Sequence, residues 1–175
     1  MKTRSFTKIF LAIAFVVLSN RKGFSQFAAA QVGVDGLTCS QCTRSVEMSL
    51  LKLDFIKDVK MDLESTVGKI IFKEGAEISF HKIAKAVTDA GFSVRFLKAI
   101  YTFNNLENVT NIKLVNVTEP FYILNDAGTK LSGTIQLMFL GKQFMPGQEF
   151  SKWKKAIKRN FGEISKDSYY VTTQG

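Results

Sequence analysis

Apolar positions change period several times along this chain, and each change marks an element. The stretch "QVGVDGL", 31–37, alternates apolar with small or polar residues around Val32, Val34 and Leu37, which predicts a short half-buried strand. From Ser40 the spacing turns helical, with Val46, Leu50 and Leu53 at i, i+4 and i+7 and Arg44, Glu47 and Lys52 left for the outer side. A period of two returns in "FIKDVKMDLES" through Ile56, Val59, Met61 and Leu63; "TVG" then signals a turn and "KIIFK" resumes as a strand, so an antiparallel hairpin is expected. In "ISFHKIAKAVTDAG", 78–91, Phe80, Ile83, Ala84 and Val87 share one helical face, Ser79 stands as the N-cap and Gly91 as the terminator. "FSVRFLKAIYTF" supplies a fourth strand.

The order β, α, β, β, α, β within about 70 residues is the split βαβ arrangement of ferredoxin-like folds, four antiparallel strands with two helices on one face. The expected class is therefore α+β. Asparagine-rich sequence around "NNLENVTN" places a boundary near residue 104, giving a first domain at 31–103. Beyond it, "NIKLVNV", "FYILND" and "TIQLMFLG" read as strands. "EFSKWKKAIKRNF" sets Phe150, Trp153, Ile157 and Phe161 along one helical stripe, with Lys152, Lys155, Lys158 and Arg159 on the wet side, and "SYYVTT" closes as a strand. Residues 104–175 are thus expected to form a small α+β domain whose role the pattern does not state.

The first thirty residues differ from all that follows. Lys2, Arg4 and Lys8 precede the apolar run "IFLAIAFVVL", and small residues follow at Ala28 to Ala30, the pattern of a secretory signal peptide over 1–30. The run is too short for a membrane-spanning helix, which needs roughly 20 apolar residues, so cleavage is expected, with a mature chain starting near Phe27 or Gln31 and no stable membrane insertion. A secreted or periplasmic location follows as an expectation. This segment also changes the charge argument. The whole 175-residue chain carries +9, but five basic residues lie in the leader, leaving 19 basic against 15 acidic residues. A mildly basic remainder does not call for nucleic acid as a partner.

Candidate chemistry concentrates in "GLTCSQC", 36–42, which holds both cysteines of the chain. A disulfide, a redox pair and a pair of soft metal ligands are the open readings. A two-residue spacing closes so small a ring that a purely structural staple gains little. Cys39 falls in the loop after the first strand and Cys42 in the first turn of the helix, where unpaired N–H groups and the helix dipole favour thiolate. Two thiolates suit a soft ion such as Cu(I) or Hg(II) rather than Mg or Ca. A structural zinc site needs four ligands; no further cysteine exists and the single histidine, His81, reads as a surface helix residue.

These residues carry a resemblance. "GLTCSQC", the helix "TRSVEMSLLKL", the hairpin, "AVTDAGF" and the final strand resemble, over roughly residues 31–100, the heavy-metal-associated domain of copper chaperones, copper-transporting ATPase modules and periplasmic mercury-binding proteins. The resemblance implies that Cys39 and Cys42 are metal ligands, that Gly36 and Thr38 shape the loop, and that Leu37 lies beneath the site where the family usually has methionine. It also implies that Phe92 approaches and shields the loop, while the pattern alone makes it a core aromatic opening the fourth strand. Cu(I) is the leading cargo and Hg(II) or another soft metal the alternative; the implied partner is a metal donor or acceptor, a transporter or chaperone.

Two rival readings accompany this one. A thiol–disulfide redox protein would want a proline loop beside the dithiol, but the prolines are Pro120 and Pro146 and the one tryptophan is Trp153, all distant in sequence. A sensor or adaptor whose second domain docks on a transporter would use the basic face of the 149–161 helix. Met138 and Met145 are expected as core packing and loop filler rather than thioether ligands. No Ser/His/Asp set, phosphate-binding glycine loop or carboxylate cluster stands out, and an enzyme is not expected. The sequons at Asn108 and Asn116 matter only in a host that glycosylates exported proteins.

Overall fold

A computed structural model describes residues 27–106, 111–112, 117, 119–124 and 131–173. The elements run β1 (Phe27–Asp35), α1 (Ser40–Leu51), β2 (Ile56–Asp62), β3 (Val67–Phe72), α2 (Phe80–Asp89), β4 (Ser93–Leu106), β5 (Asn111–Ile112), β6 (Phe121–Ile123), β7 (Leu131–Leu140), α3 (Gly147–Phe161) and β8 (Tyr169–Thr172). The first six are the βαββαβ order expected from the periodicity. Their strands lie side by side as β2-β3-β1-β4, with β1 antiparallel to both β3 and β4.

The sheet does not stop there. β4 continues through residue 104, where the asparagine-rich boundary was expected, and pairs antiparallel with β7 from Lys98↔Met138 to Leu106↔Leu131. β8 then pairs with β7, and β6 lies parallel to β8, so all eight described strands form one sheet in the order β2-β3-β1-β4-β7-β8-β6-β5. The division at 103/104 thus falls inside β4. Strand pairing supplies the physical reason: β4 would otherwise present a row of unpaired N–H and C=O groups, and β7 covers that edge.

Packing also crosses the division. Phe80 of α2 lies 4.9 Å edge-on from Phe27 of β1, 4.2 Å from Phe139 of β7 and 5.5 Å edge-on from Tyr169 of β8. All four belong to the main buried cluster. A second cluster lies beneath α3, where Phe150 and Ile157 are buried with Leu140, Met145 and Tyr170, and Trp153 and Phe161 pack against them. The stripe expected at 150, 153, 157 and 161 is therefore the face α3 buries. Because Tyr169 and Tyr170 are adjacent in β8 and enter different clusters, the two cores occupy opposite faces of the sheet at this end.

Three details differ from the sequence expectations. β1 begins at Phe27 rather than Gln31, and Phe27 is only 3% exposed; the small residues Ala28 to Ala30, read as a cleavage patch, lie in the strand. A cut after residue 30 would remove a core aromatic, whose burial contributes roughly 1.5–3 kcal/mol, whereas a cut before Phe27 would keep it. The rest of the proposed leader, residues 1–26, lies outside the described residues, as do Asn108 and Asn116. Met145, expected as a loop filler, is buried in the second cluster, while Met138 is half-buried against it as anticipated. His81 is not a surface residue but half-buried, held by Gln143 and by the rings of Phe144 and Tyr169.

Candidate metal-binding site

The thiol loop is assembled from four adjacent constraints. β1 ends at Asp35, and Gly36 turns the chain with φ +89°, a left-handed conformation that strains any side chain. Leu37 then plunges into the main core at 7% exposed, anchoring the loop from below, as the resemblance implied for this position. Thr38 and Cys39 emerge at the surface. Cys39 adopts extended backbone angles and serves as the N-cap of α1: its Sγ accepts a hydrogen bond from Cys42 N–H at 3.2 Å, and its carbonyl accepts from Cys42 N–H at 3.0 Å and Thr43 N–H at 3.2 Å.

Cys42 is half-buried and packed against the core, so one sulfur faces water and the other leans on apolar side chains. The pair is joined as a disulfide with its Cα atoms 5.2 Å apart. After reduction the same geometry leaves two thiols at a helix start whose first turn contains no acidic residue. Both the free N–H groups and the dipole there stabilise thiolate. Phe92, just before β4, is half-buried, and its Cδ1 lies 3.6 Å from where a Cβ on Gly36 would stand. The ring therefore packs beside the loop, the approach expected of it. A salt bridge at 3.6 Å between Arg95 and Asp35 and a hydrogen bond at 2.9 Å from Arg95 to the Ser65 carbonyl tie the neighbouring strand end and the β2–β3 turn together.

The remaining candidates go elsewhere. His81 lies in the first turn of α2, where its Nδ1 hydrogen-bonds Gln143 Nε2 at 3.0 Å and its ring stacks between Phe144 and Tyr169. Burial lowers its pKa, against the opposing pull of Glu119 and Asp167. Its neighbours thus come from the segment beyond β4, which no local pattern around residue 81 announces. Among the described residues, no group of three or more His, Cys, Asp and Glu is placed to hold a metal ion.

The heavy-metal-associated domain model matches residues 31–93. The copper chaperone CopZ of Bacillus subtilis is 33% identical over 61 residues, covering 35% of this chain and 87% of the chaperone. This chain belongs to the heavy-metal-associated domain family. A copper-transporting ATPase of Rhizobium meliloti is 28% identical over 117 residues, 67% of this chain but 13% of the ATPase. The periplasmic component of a mercuric transport protein of Pseudomonas fluorescens is 33% identical over 61 residues, covering 35% of this chain and 66% of that protein. The family match ends at residue 93, so β5 to β8 and α3 lie beyond the heavy-metal-associated unit even though they complete its sheet.

Proposed function

We propose that this protein binds a soft metal ion, Cu(I) foremost and Hg(II) as the alternative, between Cys39 and Cys42, and passes it to a partner by ligand exchange. The observation that carries the reading is the placement of both sulfurs at an exposed helix start, in the loop of a heavy-metal-associated unit. Cu(I) accepts two thiolates in near-linear coordination, and soft sulfur ligands select it over hard ions. Exposure of Cys39 leaves room for an incoming thiolate or thioether, so transfer proceeds by displacing one ligand at a time. The partner is accordingly a protein with its own soft donors, a transporter or a chaperone. This role is carriage rather than catalysis.

The basic, then apolar, character of residues 1–18 supports export, after which a chain starting at Phe27 retains all of β1. Among the described residues no helix is long and apolar enough to cross a membrane. In an oxidising compartment the two thiols close to the disulfide, and metal binding then requires a two-electron reduction that frees both sulfurs.

The Cys39–Cys42 bond itself favours a second reading, thiol–disulfide exchange. One experiment separates the two: anaerobic titration of the reduced protein with Cu(I) against a colorimetric chelator, alongside Cys39→Ser and Cys42→Ser. Carriage predicts one tightly held equivalent in the parent, lost in both variants. Failure of folded, fully reduced protein to compete would reject Cu(I) carriage, and the dithiol's reduction potential would then be the quantity to measure.

A further inference from the structure

Away from the thiols, a cavity of about 680 Å³ opens between α2, the turn after β7, α3 and the segment leading into β8. Its size lies within the roughly 300–1,000 Å³ common for small-molecule sites. Apolar side chains contribute to its lining, namely Ala84, Leu140, Phe150, Ile164 and Tyr170. Five cations also line it, Lys85, Lys142, Lys154, Lys158 and Lys166, against one carboxylate, Glu163. Lys85 pairs with Asp89 at 2.7 Å and Lys158 with Glu163 at 2.8 Å; the other three lysines form no ion pair among the described residues. The wall at α2 is firmly built, because His81 is held by Gln143 and by the rings of Phe144 and Tyr169.

We propose that this cavity binds an amphiphilic organic anion, a carboxylate or phosphate head on an apolar body. The apolar part of the lining favours a ligand with an apolar body, which removes that surface from water, and the lysines favour an anionic head. The lysines, exposed at the ends of flexible stems around the opening, outnumber the one carboxylate and supply the complementary charge for an anionic head. The site requires both halves of the sheet: α2 belongs to the heavy-metal-associated unit, and the rest of the lining belongs to the segment beyond it. That segment thereby gains a binding role independent of the metal loop.

Calorimetric titration of the full protein with decanoate, decyl phosphate and decyltrimethylammonium tests this directly. Both anions should bind saturably, and the cation should bind about tenfold more weakly or less, the worth of one charge-assisted hydrogen bond. The double variant Lys142→Glu/Lys154→Glu, with near-UV dichroism and Cu(I) titration unchanged, should lose about the same factor for the anions. Equal affinity for cation and anions in the parent, which needs no variant, would overturn the proposal. Unchanged anion affinity in the folded double variant would do so too. Binding to phosphatidylglycerol vesicles without binding to monomeric decanoate would assign the lysines to a lipid surface and reject the cavity.

Discussion

Helix α1 begins at an exposed sulfur, whereas helix α2 begins under a buried phenol. At α1, Cys39 supplies its own side chain as cap, Gly36 and Leu37 fix the loop, and Phe92 stands to one side. At α2, Ser79 Oγ accepts from Lys82 N–H at 3.4 Å, and the hydroxyl of Tyr169, 0% exposed, accepts from Phe80 N–H at 3.0 Å and His81 N–H at 3.4 Å. Both starts satisfy orphan N–H groups. One does so with a group left accessible to an incoming ligand, and the other seals itself with a residue from the far end of the chain. Within one fold, one helix start leaves its capping sulfur open to solvent, while the other is sealed by a strand from the far end of the chain.

Breaking the sealed end should have the largest effect on stability. Phe80→Ala removes the ring that meets Phe27, Phe139 and Tyr169; chemical denaturation should show a loss of about 3–5 kcal/mol. Tyr169→Phe keeps the ring and deletes the acceptor, leaving Phe80 N–H buried without this partner, at a cost of about 1–3 kcal/mol. This pair also has a pH signature. Burial is the main cause that pushes the Tyr169 phenol up to about 12 from the ordinary 10.0. The folded state holds its proton more tightly, so the contribution is present below pH 10 and is lost as pH rises toward 12. Denaturation midpoints measured across that window should fall more steeply in the parent than in Tyr169→Phe.

The open end should respond less in stability and more in chemistry. Gly36→Ala forces a side chain onto φ +89° and should cost about 1–2 kcal/mol in denaturation, with weaker Cu(I) retention as the loop shifts. Cys39→Ser replaces one cap acceptor with another and should change reduced-state stability by no more than about 0.5 kcal/mol, although Cu(I) binding is lost. A large stability loss in reduced Cys39→Ser would blur the contrast, because the sulfur would then be structural as well.

Much of this contrast was legible along the chain. Alternation and helical spacing located β1 to β4 and both helices of the metal-binding unit, Ser79 was legible as a cap, and the two cysteines announced the loop. The stripe at 150, 153, 157 and 161 showed which face α3 buries. What the chain did not reveal was pairing over long separation. Nothing local to Lys98 or Met138 says that they stand opposite each other, so a turn-rich stretch was read as a boundary although β4 runs through its start. His81 has the same history: its position on an outer helical turn is legible, but the Gln143, Phe144 and Tyr169 that half-bury it come from the added strands and loops. Ala28 to Ala30 resemble a cleavage patch as much as a strand, so the pattern leaves the start of the mature chain open between Phe27 and Gln31.

In the proposed role, the cargo is held by the two sulfurs of the open helix start and by no other protein donor. X-ray absorption at the copper edge on the reduced, Cu(I)-loaded protein measures this most directly. A first shell of two sulfur scatterers is expected in the parent, and no bound copper in Cys39→Ser/Cys42→Ser. A shell dominated by nitrogen or oxygen, or sulfur-bound copper persisting in the double variant through Met138 or another methionine, would contradict it.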